Sequence, residues 1–189
     1  MIIGVTGFLA AGKGEVSAIF VEKYGFKKLA FGDAVREEAQ KRGTLSTREN
    51  LQKIGDEMRI KHGGNYWLNR LLEKTEPGKK YVFEGIRNPS EIDSLRKIKD
   101  FVLIGIDAPF EIRAMRTIQK QRNRKEDEVT LEEFKILDNN DKQGQSGLGQ
   151  QTQKCFNQAD FVIINDGTLT DLQNKVKETM NKIMEKTKC

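Results

Sequence analysis

Histidine occurs once in these 189 residues and cysteine twice. The lone His62 removes most histidine-based catalysis and any histidine-rich metal site. Cys155 and Cys189 lie far apart, which excludes a disulfide framework and points to a reducing compartment. One tryptophan and three tyrosines leave little aromatic surface for stacking nucleic-acid bases. No apolar run approaches the ~18 residues that a membrane helix needs. The opening Met1-Ile-Ile has no basic stretch ahead of it and leads into a strand. No secretory signal is therefore expected, and the chain reads as cytoplasmic. No internal repeat is visible.

Charged residues make up 32% of the chain and hydrophobic ones 37%. This length and balance fit one domain, residues 1–189, with a full core. The net charge is +5 and the pI about 9.1. Lysines and arginines are interspersed with acids rather than gathered in a block. The basic excess therefore suits small phosphorylated molecules, and neither a nucleic-acid nor a membrane partner is expected. Oligomeric state is open.

The richest stretch is the first fifteen residues. The apolar run Met1-Ile-Ile-Gly-Val-Thr6 is followed by Gly7-Phe-Leu-Ala10-Ala11-Gly12-Lys13-Gly14-Glu15 and then a helical pattern over 15–23. A glycine loop between a strand and a helix lets backbone N–H groups converge on phosphate oxygens. The helix N-terminus adds partial positive charge and Lys13 a full one. Gly7, Ala10, Ala11, Gly12, Lys13, Gly14 and Glu15 are thus candidate cofactor-binding positions. One element is missing: the residue after the lysine, ordinarily a magnesium-binding serine or threonine, is Gly14.

Five short apolar segments read as buried strands: 2–6, 28–31, 81–84, 101–107 and 161–165. Helical patterns occupy 15–23, 34–42, 48–61, 66–74, 91–97, 110–122 and 169–185. The alternation predicts an α/β three-layer sandwich with a five-stranded parallel sheet and helices on both faces. In such sheets ligands gather at the carboxyl ends of the strands. Every strand end carries glycine or polar chemistry: the glycine loop, Gly32-Asp33 with Arg36, Glu84-Gly-Ile-Arg87, Asp107-Ala-Pro109, and Asn165-Asp-Gly167. Residues 120–154 are polar, basic and glycine-containing, with one short helix over 130–138 opened by the capping box Thr130-Leu-Glu-Glu133. This segment is expected to be a lid with little to bury against the core. Trp67 and Phe83 are expected in the core, and His62 in solvent.

Taken together these residues resemble a nucleoside monophosphate kinase of the P-loop superfamily, related to adenylate kinases and dephospho-coenzyme-A kinases. Adenylate kinases share Gly12-Lys13-Gly14 but follow it with threonine, where this chain has Glu15. The run from Tyr24 to Gly32-Asp33-Ala-Val-Arg36 is similar to a segment whose arginine grips the acceptor phosphate. Glu84-Gly-Ile-Arg87 resembles an acid-glycine-arginine segment, one residue longer there, with its acid near magnesium and its arginine on the acceptor. Asp107-Ala-Pro109 with Arg116 and Lys120 looks like a lid entrance. Residues 159–169, containing Asn165 and Gly167, are similar to the adenine-side loop of dephospho-coenzyme-A kinases. Residues 47–67 resemble phage-type deoxynucleoside monophosphate kinases, archaeal kinase-like proteins, and the kinase-like domain fused to some deoxycytidylate deaminases.

The resemblance implies ATP and Mg2+ as cofactors and an acceptor region over about 32–75. Lys13, Arg36, Arg87, Arg116 and Lys120 would be catalytic, with Arg122 or Arg124 joining the closure. Gly32, Asp33, Arg36, Glu84 and Arg87 would bind substrate. Glu84 and Asp33 would reach the metal through water. Two other readings stay open: phosphorylation of a ribose hydroxyl as in dephospho-coenzyme-A kinases, with Asp33 as base, and a nucleotide-binding regulatory module with little turnover.

Overall fold

The sheet is built from β1 (Ile2–Gly7), β2 (Lys27–Ala30), β3 (Tyr81–Glu84), β4 (Phe101–Asp107) and β5 (Phe161–Ile164), every neighbouring pair parallel, in the order β2-β3-β1-β4-β5. The computed structural model describes residues 1–122, 130–143 and 150–186 and the side chains of these except 120–122 and 143. All six residues of β1 are buried, as a central parallel strand covered on both faces requires. Chain order reverses around β1, since the chain goes from β1 to the edge strand β2, returns to β3 beside β1, and then crosses to β4 and β5 on the other side. The glycine loop therefore leaves β1 at the topological switch point, where such sheets bind ligands.

The helices are α1 (Lys13–Tyr24), α2 (Phe31–Lys41), α3 (Arg48–His62), α4 (Tyr66–Leu72), α5 (Pro89–Leu95), α6 (Phe110–Arg122), α7 (Leu131–Gln143), α8 (Thr152–Phe156) and α9 (Leu169–Lys186). Side chains alternate across each strand, so the sheet has two cores. One packs α1 and α9 on Ile3, Val5, Ile104, Ile106 and Ile163. The other packs α2 to α5 and α8 on Ile2, Tyr81, Phe83 and Leu103. Trp67 and Phe83 are fully buried in the second core, and the Trp67 indole donates to the Gly55 carbonyl at 3.0 Å. His62 is exposed and stacks on Tyr66. Cys155 is a buried free thiol. Among the described residues no helix is long and apolar enough to cross a membrane.

Two expectations are corrected. The second strand stops at Ala30, and Phe31 begins α2 rather than ending the strand. The 120–154 segment has more to bury than its polarity suggests. Phe134 of α7 is fully buried, as are Asp138 and Asp141, and the unforeseen α8 buries Thr152 and Cys155. The reason is pairing: the segment's acids meet arginines from other elements, which composition along the chain does not reveal. The capping box at Thr130 and Glu133 forms as expected.

Candidate functional site

Two glycines set the shape of the loop after β1. Gly7 has φ +140°, and a Cβ there would lie 2.0 Å from the Ile106 carbonyl oxygen. Gly12 has φ +103°, and a Cβ there would lie 2.2 Å from the Asn165 side-chain nitrogen. Both positions need glycine for conformation and for space. Ala10 also has positive φ, at 57°. Gly14 differs: a Cβ there would meet nothing within 4 Å. Glu15, in the first turn of α1, is exposed.

The Lys13 ammonium donates to the carbonyls of Gly7 at 2.8 Å and Phe8 at 2.7 Å. Burial first, and then the positive charge of Arg87, lowers its pKa to about 8, against the pull of Asp141 and Glu84. A charged lysine that the protein neutralises incompletely is ready for an anion.

The base of the loop is closed from β5 and α6. Asn165 donates to the Ala11 carbonyl at 2.9 Å. Arg116 donates to the Asn165 carbonyl at 3.0 Å and reaches Ala11 O at 3.5 Å. Arg116 thus braces the loop against β5. Gly167 follows in the same turn, where a Cβ would lie 2.6 Å from the Asp171 carboxylate. Lys120, Arg122 and Arg124 lie outside the described side chains.

Beside Lys13 opens a cleft of about 520 Å³ toward α2 and α3. Its cationic lining is Lys13, Lys28, Arg36, Arg48, Arg59 and Arg87, against Asp33 and Glu84. Gly32 lies in the first turn of α2 along the same wall. Asp33 does not cap α2, whose N-cap is Ala30 with no side-chain bond. Its exposed carboxylate instead accepts from Arg36 one turn on, at 2.6 Å. Glu84, at the end of β3, pairs with Lys28 at 2.7 Å and caps no helix. The next helix, α5, is capped by Asn88 in a box with Glu91.

Arg87 is fixed at both ends of its residue. Its N–H donates to the buried Glu91 carboxylate at 3.1 Å, and its carbonyl accepts from Gln151 N at 2.7 Å. Arg59 donates to the other Glu91 oxygen at 3.3 Å. Burial raises the Glu91 pKa even against Arg59. The Arg87 guanidinium reaches Gln150 Oε1 at 2.7 Å and Asp141 Oδ1 at 2.9 Å.

Three residues here were given no role of their own from sequence, Arg48 standing only within the 47–67 stretch. Arg48 opens α3, where Thr47 caps the helix by accepting from Asn50 N. Asp141 ends its reach between Arg87 and Arg48. Arg113, 3% exposed, donates to the Leu9 carbonyl at 3.2 Å and holds the Asp138 carboxylate with both terminal nitrogens, ringed by Phe8, Phe110 and Phe134. Burial acts to raise the Asp138 pKa, yet its bonds to Arg113 and Lys142 hold it below the usual range. The one signal for Arg113 was its place one turn into the helix after Asp107-Ala-Pro109, where Arg116 stood equally well.

The metal question turns on donors. Gly14 offers no hydroxyl, and among the described residues no group of three His, Cys, Asp or Glu gathers. The set fits an ion held by a nucleotide's phosphates and water rather than by a protein cage.

Sequence and structure comparisons agree with this geometry. The AAA-domain family signature matches residues 6–135. The chain is 33% identical to a UPF0200 protein of Pyrococcus abyssi over 194 aligned positions, covering 97% of each. The chain belongs to the UPF0200 family. A second relative, from Pyrococcus horikoshii, is 32% identical over 97% of this chain and 98% of its own. Among solved structures, a gluconokinase from Sinorhizobium meliloti aligns with TM-score 0.58 at 14% identity, covering 98% of this chain and 94% of that one. Shikimate kinase from Aquifex aeolicus aligns with TM-score 0.57 at 16% identity, covering 99% and 98%. This UPF0200 chain therefore has a P-loop, kinase-like α/β fold.

Proposed function

We propose that this protein transfers the γ-phosphoryl group of ATP, with Mg2+, to a nucleoside or deoxynucleoside monophosphate. The observation that carries the reading is the cation-lined cleft opening from Lys13 between the glycine loop and α2–α3. An acceptor that is already anionic suits such a lining, and it needs no general base. Phosphoryl transfer rests on positioning and charge neutralisation more than on covalent chemistry by the protein.

On this reading the loop N–H groups and Lys13 hold the donor phosphates. Arg36 and Arg87 hold the acceptor phosphate, where a guanidinium offers paired donors to two oxygens. Arg116 keeps the loop in shape through the Ala11 and Asn165 carbonyls. Glu84 would be the acid nearest a magnesium ion bound with ATP, and such an ion would offset phosphate charge there. The kinase names of the structural neighbours support the same reaction class.

The test is ATP consumption with each ribo- and deoxynucleoside monophosphate and with dephospho-coenzyme A. Turnover dependent on one class of monophosphate is expected. Turnover with dephospho-coenzyme A alone would transfer the assignment to ribose phosphorylation. ATP binding without acceptor-dependent turnover would leave a regulatory module.

A further inference from the structure

Asp141 lies in the last turn of α7 with its side chain 2% exposed. It sits behind the wall of the cleft, next to lining cations that come from three separate elements. Arg87 donates to Oδ1 at 2.9 Å. Arg48 stands 3.9 Å from the same oxygen, short of hydrogen-bond reach. Lys13, from the glycine loop, is the third and is close enough for its charge to respond to this carboxylate. The other oxygen, Oδ2, is buried with no hydrogen-bond partner among the described residues. Carboxylates buried for stability alone are hydrogen-bonded on both oxygens, because an unmet buried charge is costly. This one leaves acceptor capacity unused beside cations that retain donors. Arg87 and Arg48 both address this one carboxylate oxygen, and a phosphate monoester dianion with three free oxygens would meet their donors better.

We propose that Arg48 joins Arg87 as a ligand of the acceptor's phosphate, and that Asp141 is the anion they hold until that phosphate displaces it. The inference rests on reading the cleft as the acceptor site. It adds a binding residue and a self-occupied state. One turn before Asp141, the Arg113–Asp138 pair anchors α7 to the glycine loop independently. Displacement therefore frees the last turn of α7 and leaves the rest of the helix docked.

Inorganic phosphate is the probe, titrated calorimetrically into wild type, Asp141→Asn, Arg48→Gln and, as a control for α7 charge, the exposed Glu132→Gln. Removing the resident charge is expected to tighten phosphate at least about tenfold in Asp141→Asn, with Glu132→Gln like wild type. Arg48→Gln is expected to weaken it by a similar factor. Unchanged or weaker binding in Asp141→Asn would overturn the proposal and make Asp141 a fixed partner of the arginines. Hydrogen exchange on wild type needs no variant: phosphate should lower protection at 139–143, and equal or higher protection would also overturn it. The outcome is separate from the proposed activity. Monophosphate turnover without displacement sinks this inference alone, and displacement without turnover sinks the assigned reaction alone.

Discussion

The glycine loop and the α7 clamp touch at the Leu9 carbonyl but are held by different physics. The loop is a matter of backbone shape: Gly7 and Gly12 adopt conformations closed to other residues, and carbonyls at Gly7 and Phe8 receive Lys13. The clamp is a matter of charge: Arg113 with Asp138, and Arg87 with Asp141, join residues up to 54 positions apart. Shape of this kind is written within seven consecutive letters. Charge pairing at long range is not.

The largest expected effect breaks the clamp. Arg113→Ala removes the guanidinium from a buried carboxylate, a change that costs about 3–5 kcal/mol when nothing compensates. Lys142 still reaches Asp138 at 2.9 Å, so the lower end of that range is expected. Chemical denaturation reads the loss, and hydrogen exchange should localise it to α7 and the Leu9 turn. A loss below about 1 kcal/mol would mean that α7 docks through Phe134 rather than through charge.

Lys13→Ala sharpens the contrast from the loop side. If Lys13 holds the donor phosphates as proposed, ATP binding should vanish while the fold persists. The pH dependence follows from its lowered pKa. The unfolded lysine holds its proton up to its ordinary value, 10.5, whereas the folded one releases it near 8. Between these values the unfolded state binds more protons, so stability rises with pH through this group. The difference in stability between wild type and Lys13→Ala should therefore shift in favour of wild type from pH 8 to 10.5. A pH-independent difference would show that the ammonium is well solvated.

Arg36→Ala and Arg87→Ala should raise the acceptor KM or lower kcat about ten- to a hundredfold, the worth of a charged hydrogen bond of about 1.5–3 kcal/mol, with ATP affinity nearly unchanged. Arg87 also holds Asp141, so only its loss should loosen α7 as well. Equal damage to ATP binding by both variants would break the division between loop and clamp.

These contrasts explain what was legible. All five strands could be read because buried parallel strands are continuous apolar runs bounded by turn residues. That Lys13, Arg36 and Arg87 line one cleft could be anticipated because each stands at or just after a strand end. Arg48, Arg113 and Asp141 could not, since their importance lies in which distant side chain each one meets. The low apolar content of 120–154 pointed away from burial, yet Asp138 and Asp141 are buried there because arginines come to meet them. Helix α8 was missed because five residues are too few for a periodic pattern.

Within the loop itself, Gly14 tests whether all its glycines are equal. A Cβ there meets open space in the first turn of α1, so Gly14→Ala should stabilise by up to about 1 kcal/mol through helix propensity. Gly7→Ala drives its Cβ into the Ile106 carbonyl and should destabilise severely. Parallel melting curves settle the pair, and a loss in Gly14→Ala would show that its flexibility is needed.

The smallest effect separates two acceptors. Asp33 is exposed, caps nothing, and holds Arg36 at 2.6 Å. With a monophosphate acceptor its work is to aim Arg36. An exposed ion pair is worth about 0–1 kcal/mol, so Asp33→Asn should raise the acceptor KM a few-fold at most. With a ribose hydroxyl acceptor the same carboxylate would be the base, and its loss should cost about a hundredfold or more in kcat. The pairing favours the milder outcome, because the carboxylate is already engaged in aiming Arg36 rather than free to face a hydroxyl. Turnover of dephospho-coenzyme A that disappears in Asp33→Asn would reverse the assignment and make Asp33, rather than Arg36, the centre of the acceptor site.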